Sequence, residues 1–370
     1  MHEARKREAA EGGRSVDGAR CLARGPARGA VAWRAVCTGG QRFGTRRAAA
    51  REGGFVISFV VAALNEAANI ERCVRSVMTL MPIGEQAEVI VADNGSTDGT
   101  PALAAAAGAR VVSLPGARLG RLRNGGVALA RGDVLVFLDG DCALTSEWRD
   151  AAPAILAAVR GSERLLAGSH PIPPRGESVF LWTHWFIPLF QQVQTQHLGT
   201  AHLICRRADF HSIGGFDETL ETNEDYDFCA RMRAGGGQLL IHLPMIVEHF
   251  GFPRTIGTFF SRTVWHGRGP ASTPARLARS PVALLGLAFG TGLIMTVWGL
   301  IVGRWAVSGA GLALAVAIVM ASHAYKMRHA GVVTHAAALL VWPVFFAGHF
   351  TSSVRGMIRW PALMLRRRPA

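Results

Sequence analysis

Two carboxylates one residue apart, Asp139 and Asp141, follow directly on the apolar run at residues 134–138. Such a pair can chelate a hard divalent cation, Mg2+ or Mn2+, which takes oxygen ligands and keeps positions open for the phosphates of a substrate. It can equally be the polar turn that ends a buried strand. A further acid, Asp93, closes the apolar run before the turn-rich stretch at 94–100, an ordinary strand-to-helix turn by itself. Arg121 and Arg123 open a helical stretch, where guanidinium groups can meet phosphate or merely be solvated. Downstream, Asp217, Glu218, Glu221, Glu224, Asp225 and Asp227 crowd into a short span ahead of a helix marked by Phe228, Ala230 and Met232.

The elements that must position these acids alternate. Residues 55–63 form a β-branched apolar run, with Asn65 as N-cap of a stretch carrying Ile70, Val74 and Val77 at helical spacing. A second strand is expected at 88–92, then Thr100 and Pro101 as N-cap and N1 of a second helix. A third strand, a third helix over 121–132 and a fourth strand at 134–138 follow. Alternation of this kind implies parallel strands with right-handed crossovers, and continuous apolar runs imply strands covered on both faces. In such α/β sheets ligands collect at the carboxyl ends of the strands, where Asp93 and Asp139 fall.

A formal charge of +14 and a pI near 11 invite a nucleic-acid reading, but the charge sits at the ends. Residues 1–53 hold 12 Lys and Arg against 5 acids, and residues 251–370 hold 13 and none. Between them, 15 basic side chains face 21 acids, which excludes a phosphate-tracking surface on the middle region. Residues 1–53 lack apolar periodicity and an h-region, and are read as a basic, disordered extension. The six cysteines are scattered without metal-like spacing and are read as free thiols in a reducing compartment, although the even count leaves a disulfide set open.

Residues 281–303 and 305–325 are uncharged, and 331–354 carry only His335 and His349. Each run exceeds the roughly 20 apolar residues that span a bilayer. Arg262, Arg268, Arg276, Arg279, Lys326 and Arg328 obey the positive-inside rule if the preceding domain is cytoplasmic. A third span would place Arg355, Arg359 and Arg366 to Arg368 on the opposite side, so the third run, which contains Pro343, is left open between a span and a re-entrant or interfacial segment.

The stretches VVAALNEAANI, VADNGSTDGT, RNGGVALARGDVLVFLDGD, GGFDETL and NEDYDFCARMRAGG, in this order and spacing, resemble glycosyltransferase family 2 over about residues 55–269. The resemblance implies an inverting enzyme of the GT-A fold, an α/β fold with a Rossmann-like, mixed and mostly parallel sheet, here followed by C-terminal transmembrane helices. It implies that Asp93 contacts the base or ribose, that Asp139 and Asp141 bind the metal, and that Asp225 is the catalytic base with Glu224 beside it. Ala62, Asn65 and Glu66 match the first-strand loop of the nucleotide pocket, and Arg123 matches a basic residue near the diphosphate. Asp139 would thus touch both metal and donor.

His249 is a further metal ligand, a leaving-group contact or a structural histidine. Where the family often has Pro, this chain has Ala62. Only Arg262 and Trp265 fall where processive members carry Q-x-x-R-W, which favours single addition over polymerisation. Residues 170–202, with Trp182, Trp185 and Phe186, are expected on the acceptor side or in the core.

The expected organisation is an extension at 1–53, a catalytic domain at 54–270, a transmembrane region of two to three helices at 281–354 and a basic juxtamembrane tail at 355–370. The expected protein is a multi-pass inner-membrane enzyme with a cytoplasmic catalytic domain, a divalent cation, a nucleotide-sugar donor and a lipid-linked or polysaccharide acceptor, and no nucleic-acid partner. A processive synthase and a non-catalytic membrane scaffold are the alternatives.

Overall fold

The computed structural model describes residues 56–82, 84–177, 179–187, 197–242, 244–328 and 332–365. The extension expected at 1–53, part of the 170–202 segment and Arg366 to Arg368 lie outside the described residues.

The alternation read from sequence folds as a seven-stranded mixed sheet in the order β3-β2-β1-β4-β7-β6-β8. Strands β1 (Val56–Ala63), β2 (Gln86–Asp93), β3 (Arg110–Ser113) and β4 (Val134–Asp139) run parallel. Beyond β4, strand β7 (His202–Arg206) is antiparallel to both β4 and β6 (Leu165–Gly168), and β8 (Gln238–Ile241) is parallel to β6. Helices α1 (Ile70–Thr79), α2 (Thr100–Ala106), α3 (Leu119–Ala128) and α4 (Ser146–Gly161) link the early strands.

Period-two alternation in β1 and β4 fills both faces of the sheet. Ile57, Phe59, Val61, Val134, Val136 and Leu138 pack with Val74 of α1 and Trp148 of α4. Val60, Leu135 and Phe137 face the opposite layer with Phe210, Phe216 and Phe228. Two short strands, β5 (Cys142–Leu144) and β9 (Val247–His249), pair antiparallel beside the end of β4.

Two expected helix caps shift. Asn65 does not cap α1: Asn69 holds the N-cap position, and Asn65 adopts a left-handed backbone at φ 56°. Thr100 is the first residue of α2 rather than its cap, which is Gly99 at φ 88°. The reason is competition for the Thr100 hydroxyl, which donates to Asp98 Oδ1 at 2.6 Å and accepts from the Glu66 amide at 2.8 Å.

After β7 come α5 (Arg207–Ser212), α6 (Glu224–Ala234) and α7 (Ile256–His266), then a short α8 (Pro274–Ala278). Three helices long and apolar enough to cross a membrane close the chain: α9 (Pro281–Ile301), α10 (Trp305–Lys326) and α11 (Val332–Leu365). The third apolar run is thus a continuous helix of 34 residues, unbroken by Pro343. Cys73, Cys142, Cys205 and Cys229 are buried free thiols, as expected.

Candidate functional site

Strand register brings the first acids together. Ala63 lies opposite Asp93 on one side of β1, and Ala62 lies opposite Asp139 on the other, so both carboxylates stand at one level on the carboxyl edge. Asp93 is buried; its Oδ2 accepts from the Gly95 and Ser96 amides at 3.0 and 3.1 Å, while its Oδ1 has no partner among the described residues. The side-chain oxygen of Asn94 is likewise buried without a partner. A polar oxygen held dry and unbonded is costly, so these two oxygens are suited to accept hydrogen bonds from a ligand. Asn94 was not singled out from sequence; its place beside Asp93 was the available signal.

The loop after β1 is locked to the loop after β2. The Asn65 amide donates to Ser96 Oγ at 2.8 Å, and Asn65 Oδ1 accepts from the Thr97 amide at 2.9 Å. The Ala67 amide donates to Asp98 Oδ2 at 3.0 Å. Glu66 is half-buried and bonded to Asn69, and burial raises its carboxyl pKa above the ordinary range. Ala62, Asn65 and Glu66 therefore line one edge with Asp93.

The two acids of the DxD pair have different partners. Asp141 Oδ2 lies 3.0 Å from Nε2 of buried His249, because the β5–β9 ladder sets His249 opposite Cys142. Burial works against the Asp141 charge, but the hydrogen bond and charge of His249, and the charge of Arg262, hold its carboxyl below the usual range. Gly251 closes this corner: a Cβ there would fall 1.9 Å from Asp141 Oδ2 and 3.2 Å from His249 Nε2. Ligand atoms of Asp141, Cys142 and His249 all lie within 4.8 Å of one another. Burial, with Asp139 and Asp141 nearby, pushes the Cys142 thiol well up, so it is a poor ligand beside a carboxylate and an imidazole. The Asp141 carboxylate and the His249 imidazole suit a hard or borderline divalent cation, whereas Asp139 is not among these clustered ligand atoms.

Asp139 instead faces Arg123. Arg123 is 2% exposed; its Nη2 donates to Asp139 Oδ1 at 2.8 Å and its Nη1 to Glu224 Oε1 at 2.5 Å. Burial opposes the guanidinium charge, but Asp139, Glu224 and Asp225 outweigh it and keep Arg123 fully charged. Glu224, 3% exposed at the start of α6, is pushed up by burial despite Arg123. One cation thus braces the DxD acid to the Glu224–Asp225 pair across 101 residues of sequence.

Asn223, in the left-handed region at φ 67°, turns the chain into α6. Asp225 Oδ1 accepts from the Tyr226 amide at 2.7 Å, and a Cβ on Gly199 would lie 3.7 Å from Asp225 Oδ2. Asn124 of α3 grips the GGFDE loop, donating to Phe216 O and Glu218 Oε1 at 2.9 Å each and accepting from the Phe216 amide at 3.0 Å. Arg262 Nη1 donates to Gly251 O at 2.9 Å, which stations it beside the Asp141 corner. Trp182 and Trp185, expected on the acceptor side or in the core, are both buried, and Trp185 packs on Phe259 of α7 with ring centroids 5.6 Å apart.

Residues 58–197 match the family described as Glycosyl transferase family 2. The pre-mycofactocin glycosyltransferase of Mycobacterium tuberculosis is 24% identical over 260 residues, covering 65% of this chain and 53% of that protein. This chain thus spans about half the length of that relative. Glucosyl-3-phosphoglycerate synthase of the same organism is 41% identical over 102 residues, 25% of this chain and 31% of that protein. Among solved structures, the mannosyltransferase PcManGT from Pyrobaculum calidifontis, in complex with GDP-Man and Mn2+, is similar in fold with a TM-score of 0.52, 15% identity, and coverage of 82% of this chain and 87% of that one. The family match falls on the strands that end in Asp93 and Asp139, within the mixed, mostly parallel sheet of a GT-A fold, and over residues 58–197 this chain is similar to glycosyl transferase family 2.

Proposed function

We propose that this chain is a membrane-anchored, metal-dependent, inverting glycosyltransferase that moves a sugar from a nucleotide-sugar donor to a lipid-linked or glycan acceptor at the cytoplasmic face of the inner membrane. The observation that carries this reading is the convergence on one sheet edge of Asp93, Asp139, Asp141 and the Glu224–Asp225 pair, with Arg123 bridging Asp139 and Glu224. On this reading 54–270 is the catalytic domain and the apolar helices after Pro281 anchor it.

Asp93 and Asn94 receive the nucleoside through their unbonded oxygens, with Ala62, Asn65 and Glu66 along the same wall. Asp139, Asp141 and His249 hold a divalent cation, which when bound neutralises the charge that develops on the departing diphosphate. Arg262, beside Asp141, adds positive charge on the same side. Asp225, less enclosed than Glu224, takes the proton of the acceptor hydroxyl as that oxygen attacks the anomeric carbon. The bond from that carbon to the diphosphate oxygen breaks with its electron pair leaving on the nucleotide, and configuration inverts. Buried Glu224 keeps Arg123 in place and does not face the acceptor.

The purified full chain, offered a panel of nucleotide sugars with Mn2+ or Mg2+, is expected to release nucleoside diphosphate from one of them, to lose this with chelator, and to lose it in Asp225→Asn. Turnover of none of the donors together with no cation-dependent nucleotide binding would refute the reading. Product length on the same preparation separates single addition from polymerisation.

A further inference from the structure

The packing of the three apolar helices separates the third from the first two. α9 and α10 form a hairpin along their length: the Cβ position of Gly292 lies 3.2 Å from the Ala315 backbone, and that of Gly299 lies 2.5 Å from Ser308. α11 also packs on α9: the Cβ position of Gly286 is 2.8 Å from His349, that of Gly290 falls on the Phe350 ring, and the tilted rings of Phe289 and Phe346 lie with centroids 5.7 Å apart.

α11 touches α10 as well, where His335 Nδ1 lies 2.7 Å from His323 Nε2, and along its length it also follows the catalytic domain. Near its start, Thr334 Oγ1 lies 3.4 Å from His184 Nδ1, and Trp342 and Phe345 pack on Trp185 at 4.7 and 5.4 Å. The Cβ position of Gly348 lies 2.7 Å from Thr263, that of Gly267 2.7 Å from Ser352, and that of Gly356 2.8 Å from Ala271 Cβ. These contacts advance four residues at a time in the same direction on both segments, one helical turn per step. Trp360 Nε1 closes the series by donating to Ala271 O at 3.0 Å. Of the apolar stretch of α11, 44% is buried in the protein, against 28% for α9 and for α10.

The remaining face of α11 is mostly apolar and partly uncovered. Ala336, Leu340, Pro343, Ala347, Thr351, Val354 and Ile358 recur at steps of three or four and so share one stripe, with Ala347, Thr351 and Val354 half-buried and Leu340 and Ile358 each 72% exposed. Arg355 and Arg359 stand exposed beside its last turn. A membrane-crossing α11 would carry α7 with it, and α7 holds Arg262 against Gly251 at the Asp141 corner. Drawing those charges into hydrocarbon would be costly.

We infer that α11 lies along the bilayer surface, its apolar stripe in the boundary between headgroups and acyl chains and Arg355 and Arg359 toward anionic headgroups, so that the chain crosses the membrane twice and α11 docks the catalytic domain onto the lipid. The inference rests on the reading of α9 and α10 as spans. It places Arg355 and Arg359 on the same side as Arg262, Arg276 and Lys326, which satisfies the charge rule that a third span would break.

The test uses the full chain, with Cys21→Ser and Cys37→Ser, in vesicles of three parts phosphatidylcholine to one part phosphatidylglycerol. Fluorophores are attached singly at Leu340→Cys, Ala347→Cys and Ile358→Cys on α11 and at Ile294→Cys on α9, and quenched by lipids carrying a nitroxide at a shallow or a deep acyl carbon. All three α11 labels are expected to be quenched at least twofold more by the shallow probe, and the Ile294 label more by the deep one. From 340 to 358 a helix rises about 27 Å, so a spanning α11 would show deep quenching at Ala347 and shallow quenching at the ends; that profile would overturn the inference. Shallow quenching at Ile294 would overturn the two-span reading and the inference with it. On the unsubstituted chain, a C-terminal epitope is expected to be digested from the same side as the catalytic domain; its protection from a protease that cuts that domain would also refute the surface placement.

Discussion

Replacing Arg123 with Met removes the one cation that Glu224 and Asp139 share. Glu224 is buried, so it cannot exchange the lost partner for water, whereas Asp139 keeps about a third of its side chain exposed. Breaking a buried pair by removing one partner costs about 3–5 kcal/mol. For a domain of this size each kcal/mol moves the melting midpoint roughly 2–4 °C, so Arg123→Met should melt on the order of 10 °C lower.

The double variant Arg123→Met with Glu224→Gln should recover part of that loss, because the stranded charge is gone, giving a coupling of about 1.5 kcal/mol or more in the double-mutant cycle. The pH dependence has a definite sign. Burial already raises the Glu224 carboxyl, and without Arg123 its folded pKa rises further above the unfolded value. The folded single variant therefore holds a proton that the unfolded chain releases, so its stability falls as pH rises toward that folded pKa. Thermal scans of the detergent-solubilised chain at pH 5 and pH 8 check both points. Additive losses with no pH dependence would mean that Arg123 and Glu224 act independently, and that Arg123 serves as a phosphate contact and not as a brace.

His202, fully buried at the start of β7, accepts from Trp148 Nε1 at 2.9 Å and meets Ser169 Oγ at 2.8 Å, and burial lowers its pKa to about 3. Only the unfolded chain binds this proton between roughly pH 6.5 and 3, so stability present above that window is lost as pH falls, at about 1.4 kcal/mol per pH unit; chemical denaturation of His202→Gln should show a slope smaller by one proton. Gly251→Ala sets a methyl group on Asp141 Oδ2 and should weaken Mn2+ binding about 10–100-fold with little change in melting midpoint, read by calorimetric titration. Unchanged affinity would move the metal away from Asp141.

The carboxyl edge of the sheet was legible because continuous apolar runs end in acids at β2 and β4, and local pattern is enough to place them. Contacts between distant segments were not. The bridge from Arg123 to Glu224 spans 101 residues, and nothing in the composition of α3 marks Arg123 rather than Arg121 as the buried one. His249 reaches Asp141 only through the three-residue β5–β9 ladder, too short to leave a readable pattern. The loop side chains Asn65 and Thr100 read as helix caps because capping and cross-loop bonding use the same residue types, and tertiary contacts decided between the two. The third apolar run reads as a span by length; the arginines that follow it, which a third span would place on the wrong side, left the other possibility open.

The stepwise fit of α11 on the segment from Thr263 to Ala271 behaves as a toothed rack. Gly348 leaves room for Thr263, Gly267 for Ser352 and Gly356 for Ala271, so a slide of less than a full turn would set larger residues in those places. The last teeth lie beside Gly269, whose amide donates to the Thr222 hydroxyl at 2.9 Å two residues before Glu224. If α11 rests on the bilayer surface and Asp225 takes the acceptor proton, as proposed above, the elevation of Asp225 above that helix sets how far an acceptor's hydroxyl must stand from the lipid.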